Sequence, residues 1–102
     1  MKILITGSSG FIGSHLKEFL KLKGNKIIEY DIRKNPLEDI RDIHQLQEKL
    51  EEIDGIVHFA AVSRVKTGYE NPLSCVSINM EGTVNVLEAA RNNSETPWVI
   101  FG

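Results

Sequence analysis

Apolar residues along the chain follow strand-like and helix-like spacing in turn. The first strand is predicted around Ile3-Leu4-Ile5, an unbroken apolar run typical of a parallel strand covered on both faces. A helix is predicted next, because apolar residues after Gly10 recur three and four positions apart: Phe11, Ile12, Leu16, Phe19 and Leu20. Gly24-Asn25 is typical of a helix C-terminus, and residues 26–30 form the second predicted strand.

The rest of the chain repeats this alternation of strand and helix. The further predicted elements are a short third strand at 37–40, a helix from 42 to 53, a fourth strand at 55–60, a loop at 61–71, a long helix at 72–91 and a fifth strand at 97–101. Alternating strands and helices imply right-handed crossovers and a parallel sheet. The predicted fold class is therefore α/β, a Rossmann-like doubly wound sheet of five parallel strands, with residues 1–102 forming one folding unit.

Composition and charge exclude several classes of function. The net charge is −2 with acids and bases interspersed, which gives no basic surface for nucleic acid or membranes. No apolar run approaches the roughly eighteen residues of a membrane span, and no signal-peptide pattern precedes the first strand. The single Cys75 cannot form an internal disulfide, in keeping with a reducing compartment. We therefore expect a cytoplasmic protein with neither nucleic acid nor membrane as partner.

Three glycines lie between the first strand and the first helix, at Gly7, Gly10 and Gly13. In a dinucleotide-binding unit the first glycine allows a tight turn, the second lets the backbone approach a pyrophosphate, and the third brings the helix close to the strand. Free N–H groups and the positive end of the helix dipole then hold the phosphates. The alternative is an ordinary strand-to-helix turn with incidental glycines. The context favours nucleotide binding.

Asp31 ends the second strand, near the position where a dinucleotide-binding unit carries its ribose-binding acid. A carboxylate there accepts hydrogen bonds from the ribose hydroxyls and repels a 2′-phosphate, which favours NAD over NADP. Arg33 and Lys34 point the other way, because cations can hold a 2′-phosphate. Asp31 stands at the strand end itself, so NAD is the predicted cofactor.

The glycines are spaced Gly-x-x-Gly-x-x-Gly, and three further segments follow in order: Glu38-Asp39-Ile40-Arg41-Asp42-Ile43, Val57-His58-Phe59-Ala60-Ala61, and Asn71-Pro72-Leu73 leading to Asn79-Met80-Glu81-Gly82-Thr83. With these motifs over nearly its whole length, the chain resembles the extended short-chain dehydrogenase/reductase family, the nucleotide-sugar epimerases and dehydratases. The resemblance implies strand order 3-2-1-4-5, with the sheet incomplete at the fifth strand. It also implies that residues 1–102 are the N-terminal portion of an NAD(P)-binding Rossmann domain.

The resemblance also implies roles for individual residues. Backbone N–H groups of Phe11 and Ile12 match those that meet the pyrophosphate, and Asp42 and Ile43 match the residues at the adenine ring. Phe59, Ala60 and Ala61 match the family's stretch that runs past the nicotinamide ribose, where small side chains leave room for the cofactor. Asn79 matches an asparagine in the family's long helix.

Asp42 and the segment around His58 and Ser63 have other interpretations. Asp42 is equally compatible with a plain helix cap. His58 is interpreted as a buried strand histidine with a backbone partner and not as a catalytic base. Ser63 stands where some epimerases of the family have a lysine, with Arg64 and Lys66 close behind, so the substrate stays open.

The family's Tyr-x-x-x-Lys pair and substrate domain have no counterpart here. The local match from Tyr30 to Lys34 straddles a strand end, where the two side chains do not share a helical face, and it is rejected. No catalytic residue and no metal ligand is therefore assigned. Three interpretations remain: the cofactor half of a nucleotide-sugar epimerase or dehydratase, a stand-alone dinucleotide-binding sensor or partner module, or a pseudo-domain that binds nothing. The intact glycines, Asp31 and Asp42 favour the first two.

A homo-oligomer is expected. The family dimerises through helices flanking the fourth strand, which correspond here to residues 72–91. The fifth strand also exposes apolar side chains and unpaired backbone groups at a sheet edge.

Overall fold

The computed structural model describes all residues, 1–102. Four strands are present: β1 (Lys2–Thr6), β2 (Lys26–Tyr30), β3 (Gly55–His58) and β4 (Trp98–Phe101). The α-helices are α1 (Phe11–Leu22), α2 (Ile43–Glu48), α3 (Val65–Glu70), α4 (Pro72–Val76) and α5 (Gly82–Asn92). A π-helical segment, Ser77–Glu81, joins α4 to α5.

The strands form one parallel sheet in the order β2-β1-β3-β4. β1 lies inside the sheet, where Leu4 pairs with Ile28 on one side and with Ile56 on the other. Its unbroken apolar run is explained by helices on both faces of the sheet, since residues pointing either way are buried.

The two faces carry separate hydrophobic clusters. On one face Ile3, Ile5 and Val57 pack with Leu16 and Leu20 of α1. On the other face the larger cluster combines sheet residues with α2 and α5; it comprises Leu4, Tyr30, Ile40, Leu46, Leu50, Ile53, Ile56, Val86, Ala89 and Ala90. Helices on both faces make the sheet doubly wound, as predicted.

The predicted third strand at 37–40 is absent, so the five-strand sheet was wrong and the observed sheet has four strands. Side chains in this segment bond to nearby backbone instead: Asn35 accepts from Leu37 N at 3.0 Å and Asp39 from Arg41 N at 2.9 Å. Such Asx turns compete with a strand ladder. Ile40 is nevertheless buried, and its carbonyl accepts a hydrogen bond from Asn85 of α5, so its apolar character serves the core.

Residues 61–71 were predicted to be a loop, but they include helix α3. The long helix after Pro72 is confirmed and runs to Asn92, with the π-helical segment in its middle. An apolar stripe on its outer side is exposed; it comprises Leu73, Val76, Met80, Val84 and Leu87.

β4 lies at one edge of the sheet, and Ile100 and Phe101 are exposed there, as expected for the last strand. The indole of Trp98 covers Gly55 so closely that a Cβ on this glycine would lie 2.0 Å from it. No helix of the fold has both the length and the apolar character needed to cross a membrane.

Candidate functional site

The glycine loop packs so tightly that Gly7 and Gly13 have no room for a Cβ. Gly7 has φ +70°, and a Cβ there would lie 2.8 Å from the backbone nitrogen of Ala60. A Cβ on Gly13 would lie 2.3 Å from the carbonyl oxygen of Gly7. Helix α1 therefore rests directly on the loop that follows β1, as the glycine spacing predicts.

The first turn of α1 carries N–H groups that make no hydrogen bond within the protein. Gly10 N donates to Gly7 O at 3.0 Å and Ser14 N to Gly10 O at 2.9 Å, but Phe11, Ile12 and Gly13 have no acceptor. No side chain caps this helix. Unpaired donors at the positive end of a helix dipole are the chemistry of an anion site.

Asp31 connects the end of β2 to the glycine loop. One carboxylate oxygen accepts from Ser9 N at 2.8 Å and the other from Arg33 N at 2.8 Å. Arg33 also extends a guanidinium N–H to Ser9 O at 3.4 Å. Each carboxylate oxygen keeps a further lone pair, so Asp31 can still accept hydrogen bonds from a ligand.

The end of β3 forms the opposite wall. The backbone N–H groups of Phe59 and Ala60 both donate to the hydroxyl of Thr6, each at 3.1 Å. This clamp holds the Phe59-Ala60 stretch beside Gly7. The small side chains of Ala60 and Ala61 then leave open space in front of the strand.

A cavity of about 690 Å³ lies between these walls, at the carboxyl ends of the strands. Nine of the twelve predicted site residues line it: Gly7, Gly10, Phe11, Ile12, Gly13, Asp31, Phe59, Ala60 and Ala61. The position agrees with the rule that open α/β sheets bind ligands beyond the carboxyl ends of their strands.

Asp42, Ile43 and Asn79 lie outside this lining. Asp42 caps α2 by accepting from Gln45 N at 3.2 Å, so the helix-cap interpretation is confirmed. Asp42 and Ile43 border a separate shallow hollow, which shares only Asp39 and Arg41 with the cavity. Asn79 instead bonds both backbone groups of Val62: it accepts from the N–H at 2.7 Å and donates to the carbonyl at 2.9 Å.

Charged groups gather at the β2 side of the cavity. Arg41 binds the carboxylate of Asp39 through two nitrogens, at 3.0 and 2.7 Å, and this pairing lowers the pKa of Asp39. Beneath them the hydroxyl of Tyr30 is buried without a hydrogen-bond partner. Burial, reinforced by the carboxylates of Glu38 and Asp42, raises the pKa of Tyr30, which keeps the phenol protonated.

The structure also supports rejection of a Tyr30–Lys34 catalytic pair. Tyr30 is buried in the larger core cluster, whereas the ammonium of Lys34 pairs with Glu29 at 2.7 Å. Burial alone would raise the pKa of Glu29, but Lys34 and Lys17 lower it overall.

His58 is buried, as predicted, but its partners are hydroxyl groups and not the backbone. Nδ1 lies 2.6 Å from Thr6 Oγ1, and Nε2 lies 3.3 Å from Thr83 Oγ1. Burial lowers the pKa of His58. The ring is therefore neutral near pH 7.

Sequence reasoning did not anticipate three residues of this region: Thr6, Ser8 and Thr83. Ser8 has a buried hydroxyl with no partner, within the glycine loop. A hydroxyl at the end of the apolar first strand was the available signal for Thr6. Nothing in the local pattern indicates that Thr6 and Thr83 contact the same histidine, because the partners lie 52 and 25 positions from it.

A sequence model described as the NAD dependent epimerase/dehydratase family matches residues 3–101. The chain belongs to this family. The resemblance inferred from the motifs is thereby confirmed, for the N-terminal part of these epimerase/dehydratase enzymes.

Known members of the epimerase/dehydratase family and related structures share this region. The chain is 30% identical to UDP-glucuronate 4-epimerase 4 of Arabidopsis thaliana over 97% of its own length. It matches UDP-glucose-4-epimerase of Stenotrophomonas maltophila, solved with NAD and formylated UDP-arabinopyranose, with TM-score 0.87, 26% identity and 99% of the chain covered. L-threonine dehydrogenase of Clostridium difficile matches with TM-score 0.86, 26% identity and 98% coverage.

The chain spans about a third of the length of these proteins: 28% of the Arabidopsis enzyme and 36% and 35% of the two solved chains. The shared region is thus the N-terminal, NAD-binding part of the family's fold.

Proposed function

We propose that this chain binds NAD as the cofactor half of a nucleotide-sugar epimerase or dehydratase. The observation that carries the proposal is the first turn of α1, whose N–H groups at Phe11, Ile12 and Gly13 have no acceptor in the protein. They border the cavity beside a glycine loop in which contacts under 3 Å leave no room for a Cβ at Gly7 or Gly13. A pyrophosphate supplies the missing acceptors.

The residues around the cavity fit NAD as a whole. The orphaned hydroxyl of Ser8 lies within the loop that would hold the pyrophosphate. Asp31 would accept from the adenosine ribose, and Phe59, Ala60 and Ala61 would border the nicotinamide ribose. We keep Asp42 and Ile43 as proposed adenine contacts, because their hollow adjoins the cavity through Asp39 and Arg41. Asn79 would act indirectly, because its side chain bonds the backbone of Val62 and thereby positions Val62 in the cavity wall.

When bound, NAD accepts a hydride from a substrate carbon. The residues of this chain would contribute binding and orientation: helix α1 neutralises phosphate charge, Asp31 selects the unphosphorylated ribose, and the Phe59-Ala60 stretch orients the nicotinamide end. UDP-sugars are the substrates named for two of the similar proteins, and a nucleotide sugar is the substrate class we propose for the parent enzyme. The alternative of a dinucleotide-binding module without turnover uses the same site.

Isothermal calorimetry with NAD and NADP tests the cofactor. We expect NAD to bind more tightly than NADP by about 1–3 kcal/mol, roughly 5- to 150-fold. The carboxylate of Asp31 would accept a hydrogen bond from the 2′-hydroxyl of NAD, whereas it would repel the 2′-phosphate of NADP. Asp31→Ala should weaken NAD binding. The matched control is Asp54→Ala, which removes a carboxylate that also accepts a backbone N–H, from Lys2 at 2.7 Å, at the opposite end of the sheet. Equal affinities for the two cofactors, or no effect of Asp31→Ala on NAD binding, would contradict the assignment.

A further inference from the structure

A continuous series of hydrogen bonds runs from the centre of the sheet to the wall of the cavity. We call it the Thr6–Val62 network; its members are Thr6, His58, Thr83, Asn79 and Val62. Thr6 and Thr83 bond the two ring nitrogens of His58. Thr83 Oγ1 donates to Asn79 O at 2.6 Å, and the Asn79 amide bonds both backbone groups of Val62.

Only one protonation state of His58 satisfies every member. The Thr6 hydroxyl already accepts from Phe59 N and Ala60 N, so its own proton must be donated to His58 Nδ1. Nδ1 is therefore an acceptor, and the ring proton is on Nε2. That proton is donated to Thr83 Oγ1, and the Thr83 proton goes to the carbonyl of Asn79.

We propose that His58 is a positioning residue for the nicotinamide side of the proposed NAD site, and that protonation of its ring releases that side. The inference rests on the proposed function. A protonated Nδ1 no longer accepts from Thr6, so the Thr6 hydroxyl must rotate and give up one of the hydrogen bonds it accepts. Phe59 N also donates to the carbonyl oxygen of Thr6 at 3.1 Å, so Ala60 N is the group that this rotation leaves without an acceptor. Phe59 and Ala60 both line the cavity, and a second branch of the network, through Asn79, holds Val62 in the same wall.

No ionisable side chain contacts His58 that would stabilise its charged form. Thr6 on β1, Phe101 on β4 and Thr83 on α5 lie next to it. The charged side chains of α5, Glu88 and Arg91, pair with each other at the surface, and Glu81 of the π-helical segment bonds Ser77. Burial alone lowers the pKa of His58. The Thr6–Val62 network is therefore intact at neutral pH, and it opens as the pH falls below the ordinary histidine pKa of about 6.5.

The chain contains two other histidines, and their effects need a control. His15 bonds Phe11 O beside the proposed phosphate site, and His44 borders the hollow proposed for adenine. AMP contains an adenosine and a phosphate but no nicotinamide. A change at either of these histidines therefore affects AMP and NAD alike, whereas opening of the Thr6–Val62 network affects NAD alone.

The experiment measures the affinities of the 102-residue chain for NAD and AMP by calorimetry at pH 7.5 and 5.5. Lowering the pH should reduce the NAD-to-AMP affinity ratio of the wild type relative to the same ratio in His58→Gln, by no more than the roughly tenfold per pH unit that one proton allows. The glutamine side chain of His58→Gln cannot be protonated, so this variant gives the pH effect of all other groups, including the AMP monophosphate with its second pKa of about 6. Thr83→Val removes one oxygen at constant shape and should lower the NAD affinity at pH 7.5 while sparing AMP.

NMR of the His58 ring keeps the test decisive if His58→Gln fails to fold. The wild-type ring should show the Nε2-H form at pH 7.5, and the amide signals of Phe59, Ala60 and Val62 should shift with its titration. An equal pH effect on the ratio in the wild type and in His58→Gln, or the Nδ1-H form of the ring, would each overturn the inference while NAD binding stands. Absence of NAD binding at pH 7.5 would instead refute the proposed function and the inference with it.

Discussion

Replacing Phe11 by proline removes one backbone N–H from the first turn of α1 and changes little else. Phe11 is the first helical residue, where proline's fixed φ and missing N–H are well tolerated. Gly10 before it has φ −72° and ψ 173°, the extended backbone that a residue preceding proline adopts. The Phe11 side chain is 82% exposed, so little packing is lost.

The expected loss of affinity follows from a single hydrogen bond. The Phe11 N–H has no acceptor in the protein, so its removal leaves no internal partner unpaired. A hydrogen bond to a charged group contributes about 1.5–3 kcal/mol, which corresponds to about 10- to 150-fold in affinity for NAD. The free energy of unfolding should change by no more than about 0.5 kcal/mol, as for an ordinary surface substitution.

Calorimetry with NAD compares the wild type, Phe11→Pro and Phe11→Ala. The alanine variant is the matched control, because it loses the same aromatic ring but keeps the N–H. Thermal unfolding of the three proteins checks that the helix is intact. If Phe11→Pro folds as the wild type does and binds NAD within about threefold of Phe11→Ala, ~0.7 kcal/mol, the backbone N–H does not contact the ligand and the proposed phosphate site is wrong.

Three further outcomes are expected. Light scattering should show a dimer or larger oligomer at micromolar concentration. Ile100→Lys should disrupt an oligomer that pairs through β4, and Val84→Lys should disrupt one that associates through the long helix. A stable wild-type monomer would exclude both modes of association. Leu46→Ala should lower the free energy of unfolding by about 2–5 kcal/mol in urea denaturation, because Leu46 is fully buried, while Leu22→Ala at an 86% exposed position should be close to neutral. The 102-residue chain should turn over no nucleotide sugar, since it has no Tyr-x-x-x-Lys pair on one helix. Epimerase or dehydratase activity in a preparation free of host enzyme would show that other groups carry out proton transfer.

Most of the fold was predictable from local pattern. The apolar run of β1, the helical spacing after Gly10 and the alternation of strands with helices predict a parallel, doubly wound sheet, and the observed order β2-β1-β3-β4 is the predicted order without its third strand. The glycine loop was predictable for a local reason as well: the contacts that exclude a Cβ from Gly13 involve the neighbouring loop residues Gly7 and Ser8.

The segment at 37–40 shows where pattern is insufficient. Its apolar residues suit a strand and a turn equally, and the outcome depends on whether Asn35 and Asp39 bond the backbone locally or leave it free for a ladder. The burial of Ile40 then depends on α5, more than forty residues later, which supplies the contact with Asn85.

The sequence by itself determined the class of fold, the glycine loop before α1 and the carboxylate of Asp31 at the end of β2, because strand and helix periods and turn chemistry are properties of neighbouring residues. The tertiary structure alone decided which side chains satisfy one another: Thr6 and Thr83 on the two nitrogens of His58, and Asn79 on Val62. The physical reason is that a buried polar group must find a partner wherever packing brings one within about 3 Å, and that distance is independent of separation along the chain.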